Sequence, residues 1–144
     1  MAIRIRTLLP ATALAWCGAV ALTLAQSPSR TVWDGVYTTE QAARGAALYT
    51  ANCALCHGPT LAGADGPPLT GVEFSSNWNG LTLGDLYERV RSSMPPDDPG
   101  KLSAQDKADV IAHILSTASF PAGMTDLPRD AQVLMQIRFV SEKP

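Results

Sequence analysis

The feature that most constrains this chain is the pentapeptide Cys53-Ala54-Leu55-Cys56-His57. Two thiols three positions apart can each add to one vinyl group of a porphyrin, and a histidine directly after them can bind the iron. The pattern therefore predicts one covalent haem c, held by Cys53 and Cys56, with His57 as an axial ligand. A chain with this attachment must fold around a large apolar disc.

Two other kinds of site use cysteines at this spacing. A structural zinc site needs four ligands, but the chain has no second cysteine pair, and its other histidine, His113, lies inside a helical pattern. A thioredoxin-like dithiol needs a βαβ context, and no strand-rich stretch flanks the motif. Haem is therefore favoured over zinc and over a redox dithiol.

Residues 1–25 have the order of a secretory signal. A positive start is followed by an apolar run over residues 8–24 and by small residues up to Ala25, as in segments that are cleaved on export. We expect cleavage after Ala25, with an uncleaved N-terminal anchor as the alternative. A lipoprotein-type attachment at Cys17 is disfavoured, because Trp16 stands where a small residue is needed.

The charge balance excludes one class of partner. Loss of the predicted signal removes Arg4 and Arg6, so the formal net charge of −2 for the whole chain becomes more negative. That balance argues against nucleic acid and suits a redox partner with a basic docking patch. No nucleophile–base pair, phosphate loop or second cofactor motif is visible. We therefore predict no catalytic residues, and a protein that is not itself an enzyme.

Caps and apolar spacing predict three helices, at about residues 38–50, 82–93 and 103–119. In each, a Ser or Thr precedes a Gln or Asp by three positions, as Thr38 precedes Gln41. Residues 58–80 are rich in Gly and Pro and are predicted to form a loop. Trp78 is expected to be a packed aromatic at the end of that loop.

With these elements in place, residues 33–120 resemble the class I mono-haem c-type cytochromes. The resemblance implies an all-α fold, in which three to four main helices pack around one covalent haem. We divide the chain into a signal peptide, an N-terminal lead, a cytochrome c domain and a C-terminal extension, at residues 1–25, 26–37, 38–120 and 121–144. In the extension, a short helix is expected to pack Val133, Leu134 and Ile137 on the domain, although Ile137–Val140 can instead extend.

Met94 is predicted to be the sixth iron ligand. It follows the second helix and precedes Pro95 and Pro96, and a short helix followed by Met-Pro is the arrangement that the resemblance implies. A soft thioether suits haem iron. A His/His pair is the alternative, with His113 as the other histidine, although a structural role is favoured for that residue.

The resemblance also implies further contacts with the haem. A backbone carbonyl around Pro67 or Pro68 should accept a hydrogen bond from the second imidazole nitrogen of His57 and so fix the ring. Leu69 should pack on the haem edge, and Trp78 should meet a haem propionate.

An iron atom closed by His57 and Met94 is inaccessible to substrate, so such a site carries one electron at a time. The chain is predicted to be a periplasmic one-electron carrier between a redox protein donor and an acceptor. A quinoprotein-type dehydrogenase and a terminal oxidase are the partners considered, and no membrane contact is expected unless the signal stays uncleaved. The alternative function is a haem enzyme or gas sensor with an open or labile sixth position.

Overall fold

The computed structural model describes residues 30–144, which form six helices and two short strands. In chain order these elements are β1 (Arg30–Thr31), α1 (Thr39–Asn52), α2 (Ala54–His57), α3 (Gly71–Trp78), α4 (Leu83–Ser93), α5 (Ala104–Thr117), α6 (Ala131–Leu134) and β2 (Ile137–Arg138). The predicted signal peptide lies outside the described residues. Within residues 30–144, no helix is long and apolar enough to cross a membrane.

The fold confirms the all-α prediction. Four helices, α1, α3, α4 and α5, have eight residues or more, and the sheet is a single pair of two-residue parallel strands. Helices α4 and α5 begin with complete capping boxes, Thr82 with Asp85 and Ser103 with Asp106. These reciprocal hydrogen bonds satisfy backbone N–H groups that the first helical turn leaves free.

Helix α1 begins as predicted, but its cap differs in one side chain. Thr38 accepts a hydrogen bond from the Gln41 backbone N–H at 3.1 Å. The Gln41 side chain is fully buried, so it does not return to the cap. Its amide nitrogen donates instead to Asp109 and to the Leu127 carbonyl, each at 3.0 Å. Tertiary partners have taken the place of the local reciprocal bond that the capping-box spacing predicts.

Helices α1 and α5 cross in close contact, and Gly45 permits it. A Cβ atom at Gly45 would overlap the backbone carbonyl of Asp109 on α5. One turn later, the rings of Tyr49 and His113 lie 5.4 Å apart between centroids. His113 therefore makes an aromatic contact to the first helix. It does so as a half-buried structural side chain.

A hydrogen-bonded network joins α1, α5 and the chain beyond α5. Asp109 is 3% exposed and accepts from Arg44 at 2.9 Å and from Gln105 at 2.8 Å, besides Gln41. Arg44 also pairs with Asp126 at 2.6 Å. Burial alone raises the pKa of Asp109, but the hydrogen bonds from its three partners outweigh burial and hold that pKa below the usual carboxyl value. The carboxylate is thus kept ionised at the helix crossing.

The prediction of a continuous loop over residues 58–80 is wrong, because helix α3 lies inside it. Residues 71–78 are helical, and Trp78 is the last helical residue rather than the end of a loop. Phe74, four positions before Trp78, is 3% exposed, so the pair forms the apolar face of this short helix. The flanking glycines and prolines hid it, and no side-chain cap marks its start at Thr70.

A few apolar side chains anchor the segment after α5 on the rest of the molecule. Leu127, Leu134 and Ile137 are each no more than 1% exposed, and α6 packs on α4. Val133 is 45% exposed, so its predicted packing on the domain is wrong. The last residues extend, and β2 pairs with β1 in the register Arg30 to Ile137 and Thr31 to Arg138.

Candidate haem-binding cleft

The cysteine–histidine motif is folded as a single helical turn directly after α1. The Cys53 N–H donates to the Tyr49 carbonyl at 2.8 Å, which ends α1, and the N–H groups of Cys56 and His57 both donate to the Cys53 carbonyl. This turn places two thiols and one imidazole within one helical repeat. Burial, and to a smaller extent the neighbouring Cys56, raises the pKa of the Cys53 thiol.

The imidazole of His57 has a defined tautomer. Its Nδ1 lies 2.7 Å from the Pro67 carbonyl oxygen, one of the two carbonyls that the resemblance implied. A carbonyl oxygen can only accept, so Nδ1 carries the proton and donates it. The lone pair of Nε2 is then free for a metal, and the hydrogen bond fixes the orientation of the ring. His57 itself is 8% exposed.

The loop after His57 is held against the ring by backbone hydrogen bonds. The Gly66 N–H donates to the Cys56 carbonyl at 2.7 Å, and the Gly63 N–H donates to the His57 carbonyl at 2.9 Å. A Cβ atom at Gly66 would lie 3.1 Å from Cε1 of His57, tighter than ordinary van der Waals contact. The approach of this loop to the imidazole therefore depends on a residue without a side chain.

Tyr49 fixes the other end of this loop. Its hydroxyl donates to the Gly58 carbonyl at 2.6 Å. Burial, and to a smaller extent the neighbouring Cys53, raises the pKa of Tyr49 to about 12. The phenol is therefore neutral at all physiological pH values and remains a hydrogen-bond donor. Helix α1 thus positions the motif at both of its ends.

The motif opens onto a mostly apolar cleft. It is lined by Asn52, Cys53, Cys56, His57, Pro67, Pro68, Leu69, Phe74, Asn77, Trp78, Leu86, Arg89, Val90, Met94, Pro95, Pro96, Leu102, Val110 and Ile114. Every cofactor-binding residue predicted from the sequence is in this set. Met94 lies there because it ends α4, where its N–H donates to the Val90 carbonyl and the prolines that follow stop the helix. His113 is not among the lining residues.

Several lining residues were not identified from the sequence. Phe74 and Asn77 belong to the helix that was missed, although the four-residue spacing of Phe74 and Trp78 was a usable signal. Arg89 of α4 also lies at the cleft. It is the one permanently charged side chain among the lining residues of the described chain.

The residues present fit a haem. Two thiols, an oriented imidazole and a thioether, the donors that c-type haem uses, meet in one cavity whose other walls are mostly aliphatic, aromatic or proline. Within residues 30–144, no group of three or more His, Cys, Asp and Glu side chains is arranged to hold a metal ion. The zinc alternative therefore has no ligand set in that part of the chain.

Comparisons with known proteins agree with this chemistry. The family model described as cytochrome c oxidase, cbb3-type, subunit III matches residues 40–114, just over half of the chain. A cytochrome c-553-like protein of Synechocystis sp. is 32% identical over 71 residues, which cover 49% of this chain and 64% of that relative. The chain thus spans less than two thirds of the relative's length. No solved structure matches it.

The matched region contains the cysteine–histidine motif, Met94 and nearly all of α5. Proteins of this family bind haem c covalently and transfer electrons. On the agreement of motif, cleft and family match, the chain belongs to the c-type cytochromes of the family described as cbb3-type cytochrome c oxidase subunit III, and it is a small mono-haem cytochrome.

Proposed function

We propose that this cytochrome is a periplasmic one-electron carrier whose haem has His57 and Met94 as axial ligands. The observation that carries the proposal is the presence of Met94 in the same cleft as the thiols and the oriented imidazole. The haem supplies a one-electron couple between ferrous and ferric iron. Two protein ligands leave no position for substrate, and methionine ligation raises the potential relative to two imidazoles.

The remaining cleft residues have roles that follow from their chemistry. Pro68 and Leu69 supply half-buried apolar surface beside the motif, and this surface would help to exclude water from a bound haem. Trp78, whose indole is a donor only, and the cation Arg89 suit the two carboxylates that a haem carries. An unchanged midpoint potential in an Arg89→Gln variant would contradict the part assigned to Arg89.

Electrons enter and leave through docked redox proteins. The family description names a cytochrome c oxidase, which supports a terminal oxidase as the acceptor. A periplasmic quinoprotein-type dehydrogenase is proposed as the donor, and the protein itself is not the enzyme of either reaction. Members of this family are typically exported, in keeping with the signal expected at residues 1–25. The donor is tested by mixing the ferric protein with a purified quinoprotein dehydrogenase and its substrate. Absence of haem reduction would contradict this choice of donor.

The ligand assignment is tested by Met94→Ala, with Met124→Ala as the matched control. Met124 is 95% exposed and outside the cleft. The native protein and the control are expected to show the far-red sulfur-to-iron band when oxidised, and to bind carbon monoxide poorly when reduced. Met94→Ala should lose the band, bind carbon monoxide readily and have a lower midpoint potential. A native protein that is high-spin and reacts rapidly with carbon monoxide or peroxide would instead indicate an enzyme or gas sensor.

A further inference from the structure

A row of five aromatic rings runs from the N-terminal lead to the haem cleft. Its members, in spatial order, are Trp33, Phe120, Phe139, Phe74 and Trp78, with successive ring centroids 4.8, 5.2, 5.8 and 6.1 Å apart. The contacts of Phe139 with Phe120 and Phe74 are edge-to-face, the geometry in which aromatic pairs attract. The last two rings belong to α3 and line the cleft.

Phe139 is the link between the two ends of this row. It is 1% exposed and follows β2 directly. Among the aromatic contacts of the described residues, Phe139 is the one residue outside α3 whose ring packs on Phe74. Phe139 and Phe74 are far apart in sequence, and Phe139 lies beyond the family match at residues 40–114.

Backbone hydrogen bonds fix Phe139 in this place. We call residues 137–141 the clasp, since they bind the short junction that joins α3 to α4. The Gly80 N–H donates to the Phe139 carbonyl at 2.8 Å, and the Phe139 N–H donates to the Leu81 carbonyl at 2.8 Å. The Ser141 N–H donates to the Asn79 side chain at 3.0 Å.

The opposite edge of the clasp is bonded to the N-terminal lead. The Val32 N–H donates to the Arg138 carbonyl at 3.0 Å, and the Trp33 indole N–H donates to the Val140 carbonyl at 2.9 Å. The clasp is thus hydrogen-bonded on both edges. One edge bonds the residues that follow β1, and the other bonds the residues that follow α3. Movement of this strand would move the end of α3 with it.

We propose that Phe139, seated by the clasp, is a positioning residue for the haem, since it fixes the cleft wall formed by Phe74, Asn77 and Trp78 of α3. The inference rests on the proposed one-electron function and adds a part of the chain that lies outside the cytochrome match. Water admitted beside the haem stabilises the more charged ferric state, because a polar medium solvates charge better than an apolar wall does. Loosening α3 should therefore lower the midpoint potential.

The test compares Phe139→Leu with Phe120→Leu in the haem-loaded, full-length protein. Both variants replace a buried ring of the same row by an aliphatic side chain, but the aromatic partners of Phe120 are Trp33 and Phe139 rather than a ring of α3. Both should lose similar resistance to thermal unfolding. Phe139→Leu alone should lower the reduction equilibrium constant by about threefold, which is about 28 mV at 59 mV per tenfold for one electron. It should also speed the binding of imidazole to the ferric haem.

A second variant keeps the test independent of core packing. Asn79→Ala removes the acceptor of the Ser141 N–H at an exposed position, and it should shift the potential in the same direction by a smaller amount. Equal potentials in the native protein and in both Phe139→Leu and Asn79→Ala would overturn the inference, as would equal shifts in the two Phe→Leu variants. A native protein that already binds external ligands rapidly would instead contradict the proposed function.

Discussion

The cleft and the crossing of α1 with α5 differ in the chemistry of the side chains that form them. At the cleft, apolar side chains and soft donors face a space that a cofactor fills. At the crossing, Gln41 and Arg44 both donate hydrogen bonds to Asp109, and no buried side-chain nitrogen or oxygen among the described residues lacks a partner. Substitutions at the cleft should therefore alter redox behaviour first, whereas substitutions at the crossing should alter stability first.

The largest effect is expected from removing both thiols of the motif. Cys53→Ser with Cys56→Ser leaves no sulfur for the thioether bonds, so all covalent haem should be lost, as measured by haem staining after denaturing electrophoresis. Leu55→Ser is the matched control within the same pentapeptide, because Leu55 is 90% exposed and its variant should stain normally. Haem staining of the double variant at the native level would show that haem attachment does not depend on these thiols.

Gly45→Ala should have the next largest effect, and on stability alone. The added methyl group overlaps the Asp109 carbonyl, and relief requires the helices to separate, which costs about 3 kcal/mol in the free energy of unfolding. Ala43→Gly, on the exposed face of the same helix, should cost about 1 kcal/mol. Denaturant unfolding measures both. An altered haem spectrum in Gly45→Ala would show that the crossing and the cleft are not separable.

Asp109→Asn should have the smallest of these effects and should change its pH dependence. The pKa of Asp109 is lowered in the folded protein, so its contribution is complete above the unfolded carboxyl value of about 3.9. It is lost as pH falls below that value toward the folded pKa. The variant should lose about 2 kcal/mol at pH 7, and less as the pH is lowered below about 4. Denaturant midpoints between neutral and acid pH test this, and a constant difference would contradict it.

The parts that could be predicted from the sequence are those fixed by short-range rules. Thr82 with Asp85 and Ser103 with Asp106 define helix starts within four residues, and the spacing of the motif defines the haem chemistry. Gln41 had the same cap spacing, but its side chain bonds Asp109 and Leu127. That choice depends on segments that meet only in the folded chain.

The end of the chain shows the same limit. Phe139 packs on Phe74 and bonds Leu81, yet neither partner has a local signal that points to it. Helix α3 was missed for a related reason, since it depends on that contact as well as on its own eight residues. Long-range aromatic packing of this kind has no periodicity to reveal it, so the clasp could be found only in the structure.

Every role proposed for this protein depends on one haem bonded to Cys53 and Cys56. The most direct test of this attachment is the mass of the tryptic peptide Gly45–Arg89, which contains both cysteines and no internal Lys or Arg, from protein matured in a host that attaches c-type haem. We expect a peptide heavier by one haem, with both cysteines resistant to alkylation. A peptide at its unmodified mass, with two thiols that alkylate, would contradict this expectation.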